Sequence, residues 1–239
     1  MTEAARAVDS GWSAWLDWFR KRPSAVLLVV QLLGVVIYPF LGSHGAGKSA
    51  VSIFGLLVLA LAIWSVHATA WTVWVSVVLG TGSLGFTICQ LVSDASVWVG
   101  VTSGVEAAFY FYAAGSLIAY MLADWRITRD ELFAIGGTFT LLAWAFANLY
   151  MVTQLVWPHS FDAAVDPDAP RTWVELLFLS FTTLSSTGLS DVVPISPHAR
   201  SFVMIEQLAG VAYVAMVVSW MVGVAVSRTR DRRERDSEG

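Results

Sequence analysis

The chain has 239 residues, of which 56% are hydrophobic and only 13% charged, with a mean hydropathy of +0.66. A soluble domain carries about a quarter charged residues, so the composition excludes an ordinary soluble protein and points to lipid as the solvent. The formal charge of −4 is spread over separate loops, and the single Cys89 excludes a disulfide framework.

The N-terminal segment repeats aromatics at Trp12, Trp15, Trp18 and Phe19, with Leu16 beside them and Arg20-Lys-Arg22 following. This pattern fits an amphipathic helix lying in a membrane interface, or equally a helix packed on the protein itself. The first apolar run starts near Ala25, too far in and too long for a cleavable leader. Six stretches are long enough to cross a bilayer, for which about 20 apolar residues suffice. They are Ala25–Leu41, Ser49–His67, Thr69–Leu91, Val97–Leu122, Leu132–Val156 and Ser201–Val226. The fourth contains no Arg or Lys, so it holds no row of charges for a membrane field to drive. Its one charge is Glu106, read either as an acid paired with polar groups such as Gln31 or as a protonation switch. Placing both termini in the cytoplasm puts all but Lys48, Arg171 and Arg200 of the 14 basic residues inside. The acidic loop with Asp162, Asp166 and Asp168 then faces out.

Between the fifth and sixth spans lies Trp173–Ser185, too short to cross and therefore expected to be re-entrant. Backbone that leaves a helix at membrane depth is tolerated only where protein buries it or it lines a watery cavity. Thr172 followed by Glu175, with Pro170 upstream, fits a capping box and starts a short helix there. After it comes Phe181-Thr-Thr-Leu-Ser-Ser-Thr-Gly-Leu-Ser-Asp191-Val-Val-Pro194, a hydroxyl-rich turn with one glycine, an acid and a proline. Gly188 is free to take positive φ, which would let successive carbonyls face one ion. Ser186 and Thr187 offer hard oxygen ligands suited to alkali cations.

This segment resembles the pore loop of the tetrameric potassium-channel superfamily, whose filter reads T-V-G-Y-G-D. The resemblance implies that Ser186, Thr187, Gly188, Leu189 and Ser190 occupy the five filter positions, and that Asp191 closes the outer mouth. It also implies a pore helix whose carboxyl end points at the pore axis, where partial negative charge favours a cation. Two positions depart from the pattern: Leu189 replaces the aromatic and Ser190 the second glycine. A serine there would cost about 1 kcal/mol if its φ were positive, so a looser outer filter is expected. The string Ser-Thr-Gly-Leu-Ser is also similar to the single-glycine filters of the Trk/Ktr/HKT cation transporters.

The sixth span is similar to the inner helix of prokaryotic potassium channels, which commonly carry a Glu-Gln pair, here Glu206 and Gln207. Glu206 is expected to support the filter by bonding the back of the pore helix near Thr182 or Thr183 rather than by meeting ions. Gly210 is read as a hinge or as a close-packing site, and Trp220 as a constriction of the gate or an interface anchor. The charged tail carries arginines suited to anionic lipids rather than to nucleic acid.

Together these readings give an all-α membrane protein with six spans, a re-entrant pore helix and a filter between the fifth and sixth. The domains are residues 1–23 (interfacial helix), 24–123 (an S1–S4-like four-helix domain), 124–131 (linker), 132–226 (pore domain) and 227–239 (cytoplasmic tail). One pore loop per chain implies a homotetramer, in a prokaryotic plasma membrane. The expected function is a passive monovalent cation channel that is not steeply voltage-gated and needs no cofactor. Potassium would bind at Ser186, Thr187 and Gly188, with a non-selective or sodium-permeable pore as the alternative. A non-conducting scaffold is a second alternative. A secondary transporter lacks the expected inverted repeat, and none of His44, His67, His159 or His198 has metal-ligand spacing, which argues against an enzyme.

Overall fold

The computed structural model describes residues 22–37, 40, 55, 57, 58, 60–62, 81, 82, 85, 96–123 and 129–237. The N-terminal aromatic segment and nearly all of the second and third expected spans lie outside the described residues. The elements are α1 (Pro23–Ile37), α2 (Ser96–Ala123), α3 (Arg129–Val156), β1 (Phe161–Ala163), α4 (Trp173–Leu184), β2 (Val192–Pro194) and α5 (Pro197–Ser237). Among the described residues, three helices are long and apolar enough to cross a membrane: Val97–Ala123, Asp130–Val156 and Pro197–Ser227. The 28 residues of α2 and of α3 rise about 42 Å, more than the roughly 30 Å hydrocarbon core. The first expected span is a helix of 15 residues, and α4 has 12.

The core is built around α3. Of its most apolar window 61% is buried, against 28% for α5, so α3 is the central post and α5 presents most of its surface outward. Small residues let α2 lie close along α3. A Cβ on Gly100 would sit 3.6 Å from Leu155, and one on Gly104 would sit 3.9 Å from Val152. Further along, Phe111 meets Phe146 edge-on at 4.9 Å, and Tyr110 meets Trp144 at 5.8 Å. Those pairings rise on one helix as they fall on the other, so the two run antiparallel.

Helix α1 runs parallel to α3. Its contacts advance together from Ser24 Oγ with Asp130 at 2.9 Å, through Leu27 against Gly137, to Gln31 with Thr140 at 2.5 Å. Gln31 therefore pairs with α3. Thr140 also reaches the carbonyls of Gly136 and Gly137, so this polar pair is held inside an otherwise apolar contact. Helix α5 is antiparallel to α3, joined by Tyr213 to the Ile135 carbonyl at 2.7 Å and by Glu206 to Tyr150. The end of α1 and the start of α2 thus lie on the same side of the bundle.

Helix α3 starts at Arg129, with Asp130 and Glu131 in its first turn where the helix dipole favours acids. The membrane-length part of α5 ends at Ser227, and the helix continues to Ser237.

A short outer layer joins α3 to α4. Strand β1 pairs antiparallel with β2, Phe161 opposite Pro194 and Ala163 opposite Val192. Trp157 at the end of α3 stacks on His198 at the start of α5, with ring centroids 4.0 Å apart and planes 8° apart. Arg171 organises the intervening loop. Only 3% exposed, its guanidinium donates to the carbonyls of Val165 (3.1 Å), Asp166 and Ala169 (3.0 Å from Nε). Its own backbone exchanges two bonds with the Gln154 amide, at 3.0 and 2.8 Å. A buried carbonyl without a donor costs about 1–3 kcal/mol, so one guanidinium replaces the water that several carbonyls would otherwise need. Arg171→Met should leave the helices intact and open this loop. Limited proteolysis should cut within 164–170 faster than in wild type, while circular dichroism stays unchanged.

Candidate functional site

The site is the turn that follows α4, and the capping of α4 sets where that turn begins. Thr172 is extended (φ −71°, ψ 158°). Its hydroxyl accepts the Glu175 amide while the Glu175 carboxylate accepts the Thr172 amide at 2.6 Å, forming both halves of the capping box. Leu176, Leu177, Leu179, Ser180, Thr182, Thr183 and Leu184 are buried, so the helix packs on more than one side. Trp173 anchors it to α3 edge-on against Trp144 at 4.9 Å.

Helix α4 ends in a Schellman motif. The Ser186 amide donates to Thr183 O at 3.0 Å and the Thr187 amide to Thr182 O at 2.9 Å, with Ser186 left-handed at φ 59°. Glycine usually fills that position, because a side chain there meets its own backbone. The Gly188 amide, at φ 65°, adds a bond to the same Thr182 carbonyl at 3.1 Å. The hydroxyls continue the pattern inward. Ser185 Oγ donates to Phe181 O at 2.6 Å and lies 3.0 Å from Thr187 Oγ1. The turn is therefore held by its amides and hydroxyls. The carbonyls of Ser186, Thr187, Gly188 and Leu189 take no part in these bonds, and all four residues are exposed.

Ser190 differs from expectation. The left-handed residues of the turn are Ser186 and Gly188, not Ser190, whose side chain instead accepts the Val192 amide at 3.1 Å. The strain expected at 190 falls at 186, because the Schellman exit needs its left-handed residue immediately after the C-cap Ser185. Leu189 is 76% exposed and Asp191 is exposed.

Glu206 is fully buried. Its two carboxyl oxygens accept one hydroxyl each, from Tyr150 of α3 and from Ser180 of α4. The carboxyl does reach the back of α4, but at Ser180 rather than at Thr182 or Thr183. Residue 182 lies nearly opposite residue 180 round the helix, and Thr182 Oγ1 bonds Leu179 O at 2.9 Å. One turn further, Gly210 meets Leu184. A Cβ on Gly210 would lie 2.2 Å from the Leu184 carbonyl oxygen, and α5 is helical on both sides of it. Gly210 is thus a close-packing point in an unbroken helix. Trp220 is half-buried, and its indole N–H is buried with no partner among the described residues. Glu106 lies half-buried on α2, one turn before Tyr110 on the same face. Sequence reasoning missed Tyr150 and Ser180, whose only signal was a hydroxyl within an apolar run.

Residues 137–227 match the family model for ion channels. The matched segment takes in most of α3, the capped helix α4, its turn, β2 and the membrane-length part of α5. No curated protein and no solved structure matches the chain. Over that segment the chain is similar to ion channels, and three of its described helices are long and apolar enough to cross a membrane.

Gly210→Ala should be severely destabilising, since the new methyl meets backbone that cannot swing aside. Overpacking of this kind costs about 1–3 kcal/mol or more. Gly115→Ala on α2, with nothing within 4 Å of its Cβ, should be neutral. Thermal unfolding in detergent compares the two.

In the turn, Ser186→Gly should stabilise by about 1 kcal/mol by relieving a left-handed serine, and Gly188→Ala should destabilise by a similar amount. The same unfolding assay should shift in opposite directions for the two variants.

Proposed function

We propose that the protein is a passive monovalent cation channel, potassium-conducting with weak rejection of sodium, assembled as a homotetramer around the turn at 186–190. The observation that carries this reading is the turn itself. Between two membrane-length helices, the amides of Ser186, Thr187 and Gly188 bond the end of α4, and the backbone carbonyls of four successive exposed residues take no part in those bonds. Carbonyl oxygens replace the hydration shell of an alkali cation, and backbone that is not helical at membrane depth calls for a watery or protein-lined setting. Ser186, Thr187 and Gly188 would hold the dehydrated ion. Leu189 and Ser190, looser and without an aromatic or second glycine, would admit it partly hydrated.

The ring of four is completed by other copies, since one chain supplies one turn. Helix α5 offers the surface for it: Met204, Leu208, Val211, Val214, Val218 and Val222 are exposed along its length. Asp191, with Asp162, Asp166 and Asp168, would concentrate cations over anions at the outer mouth. Both termini would be cytoplasmic, in a plasma membrane of prokaryotic type, with the α5 extension near anionic lipid. Helix α2 carries no Arg or Lys, so conductance would not depend steeply on voltage.

Voltage ramps on purified protein in planar bilayers, in opposed potassium and sodium gradients, test the reading. Currents should reverse nearer the potassium than the sodium equilibrium potential and show no steep sigmoid with voltage. Native mass spectrometry of the same preparation should give four copies. Ser190→Gly combined with Leu189→Tyr should move reversal further toward potassium. Reversal at the chloride potential, or no current in any gradient, would overturn the channel reading of the turn.

A further inference from the structure

Among the described residues, the hydrogen bonds of the turn run back to α4. Leu189 projects outward at 76% exposure, and the bonds of residues 186–188 converge on the Thr182 and Thr183 carbonyls of α4. The position of the turn is therefore the position of the last turn of α4. That helix is registered against its neighbours at two points one helical turn apart, Ser180 on Glu206 and Leu184 on Gly210. Both steps are of four residues on both helices, so α4 and α5 run parallel here. A slip of one residue, about 1.5 Å along the axis, would break both contacts together.

The Ser180 contact is tied to the rest of the fold through one carboxyl. Glu206, Tyr150 and Ser180 are each 0% exposed, and the two hydroxyls occupy the two carboxyl oxygens separately. Removing one hydroxyl leaves a carboxyl oxygen buried without a donor, in surroundings where no water replaces it. Ser180 lies only two residues before Thr182, whose carbonyl takes the Thr187 and Gly188 amides. A continuous line of bonds thus runs from α3 through α5 and α4 to the exposed residues of the turn.

We infer that Tyr150 and Ser180 are positioning residues that act through Glu206 to hold the 186–188 turn in one conformation and so set its discrimination between potassium and sodium. This rests on the cation-channel reading for its ion, but not for its geometry. A carbonyl ring whose oxygens drift by a few tenths of an ångström loses its preference between two ions of one charge. The residues invoked touch no ion; they act only through α4.

The test compares full-length wild type with Tyr150→Phe, Ser180→Ala and Glu206→Gln, and with Ser180→Thr, which keeps the hydroxyl. Hydrogen exchange at the Thr187 and Gly188 amides should accelerate at least about tenfold in the first three variants. Exchange in the α2–α3 contact should be unchanged, and Ser180→Thr should behave as wild type. In bilayers the potassium-to-sodium permeability ratio should fall at least about threefold in the same variants. Wild-type exchange at 187 and 188 in all three would overturn the inference. So would a rise spread evenly over all the helices, or a permeability ratio that stays put while the local exchange rises, because the hydroxyls would then serve only the fold. A wild-type protein that passes no current but shows the local acceleration would sink the channel reading and leave the positioning role standing.

Discussion

A single carboxyl group, that of Glu206, joins three helices at the depth where the chain leaves regular structure. In hydrocarbon no water is at hand to satisfy a polar group, so an acid there must be met by the protein or be excluded. Glu206 is met on both oxygens, by Tyr150 from the central helix α3 and by Ser180 from the short helix α4. Its presence forces those helices into contact at one height. Gly210, one turn further along α5, allows the backbone of α4 to come within van der Waals distance. The pairing of a polar anchor with a glycine contact fixes both the axial position and the closeness of α4.

Everything in the turn depends on that placement. A Schellman exit consumes the Thr182 and Thr183 carbonyls with the amides of residues 186–188. Its left-handed residue is Ser186, a serine where glycine would be easier. The carbonyls of the exposed residues 186–189 take no part in these bonds, and the exposed Asp191 follows them. The outer layer keeps the far end of the segment in place, through the β1–β2 pairing and through the Arg171 guanidinium that collects loop carbonyls. Two rigid ends bracket a turn whose own contacts are few.

The match over residues 137–227 coincides with this arrangement and stops short of α1 and α2. Those two helices nonetheless pack directly on α3, α2 along most of its length and α1 through Gln31 and Thr140. Helices α1 and α2 brace the central post against which α4 and α5 are set. The glycines at 100, 104, 136 and 137 make that closeness attainable.

Several features were legible in the residues alone because they rest on local rules. Apolar length marks α2, α3 and α5, since crossing hydrocarbon demands it of any helix. The Thr172–Glu175 spacing marks the start of α4, since a capping box needs only four consecutive residues. The lone glycine marks a left-handed backbone at 188. Other features were decided only by tertiary structure. Whether Glu206 meets Ser180 or its neighbours depends on the rotation of α4 about its axis, which no pattern along α5 encodes. Tyr150 is one aromatic among many in an apolar run until folding turns its hydroxyl onto the carboxyl. The choice of hinge or contact at Gly210 turns on how near Leu184 comes, and the left-handed serine at 186 on where α4 stops. Sequence determined which described helices are long and apolar enough to cross a membrane and where the chain must turn, because those follow from composition and local backbone. The fold decided which buried polar groups face one another, because that depends on helices far apart in the chain arriving at one depth.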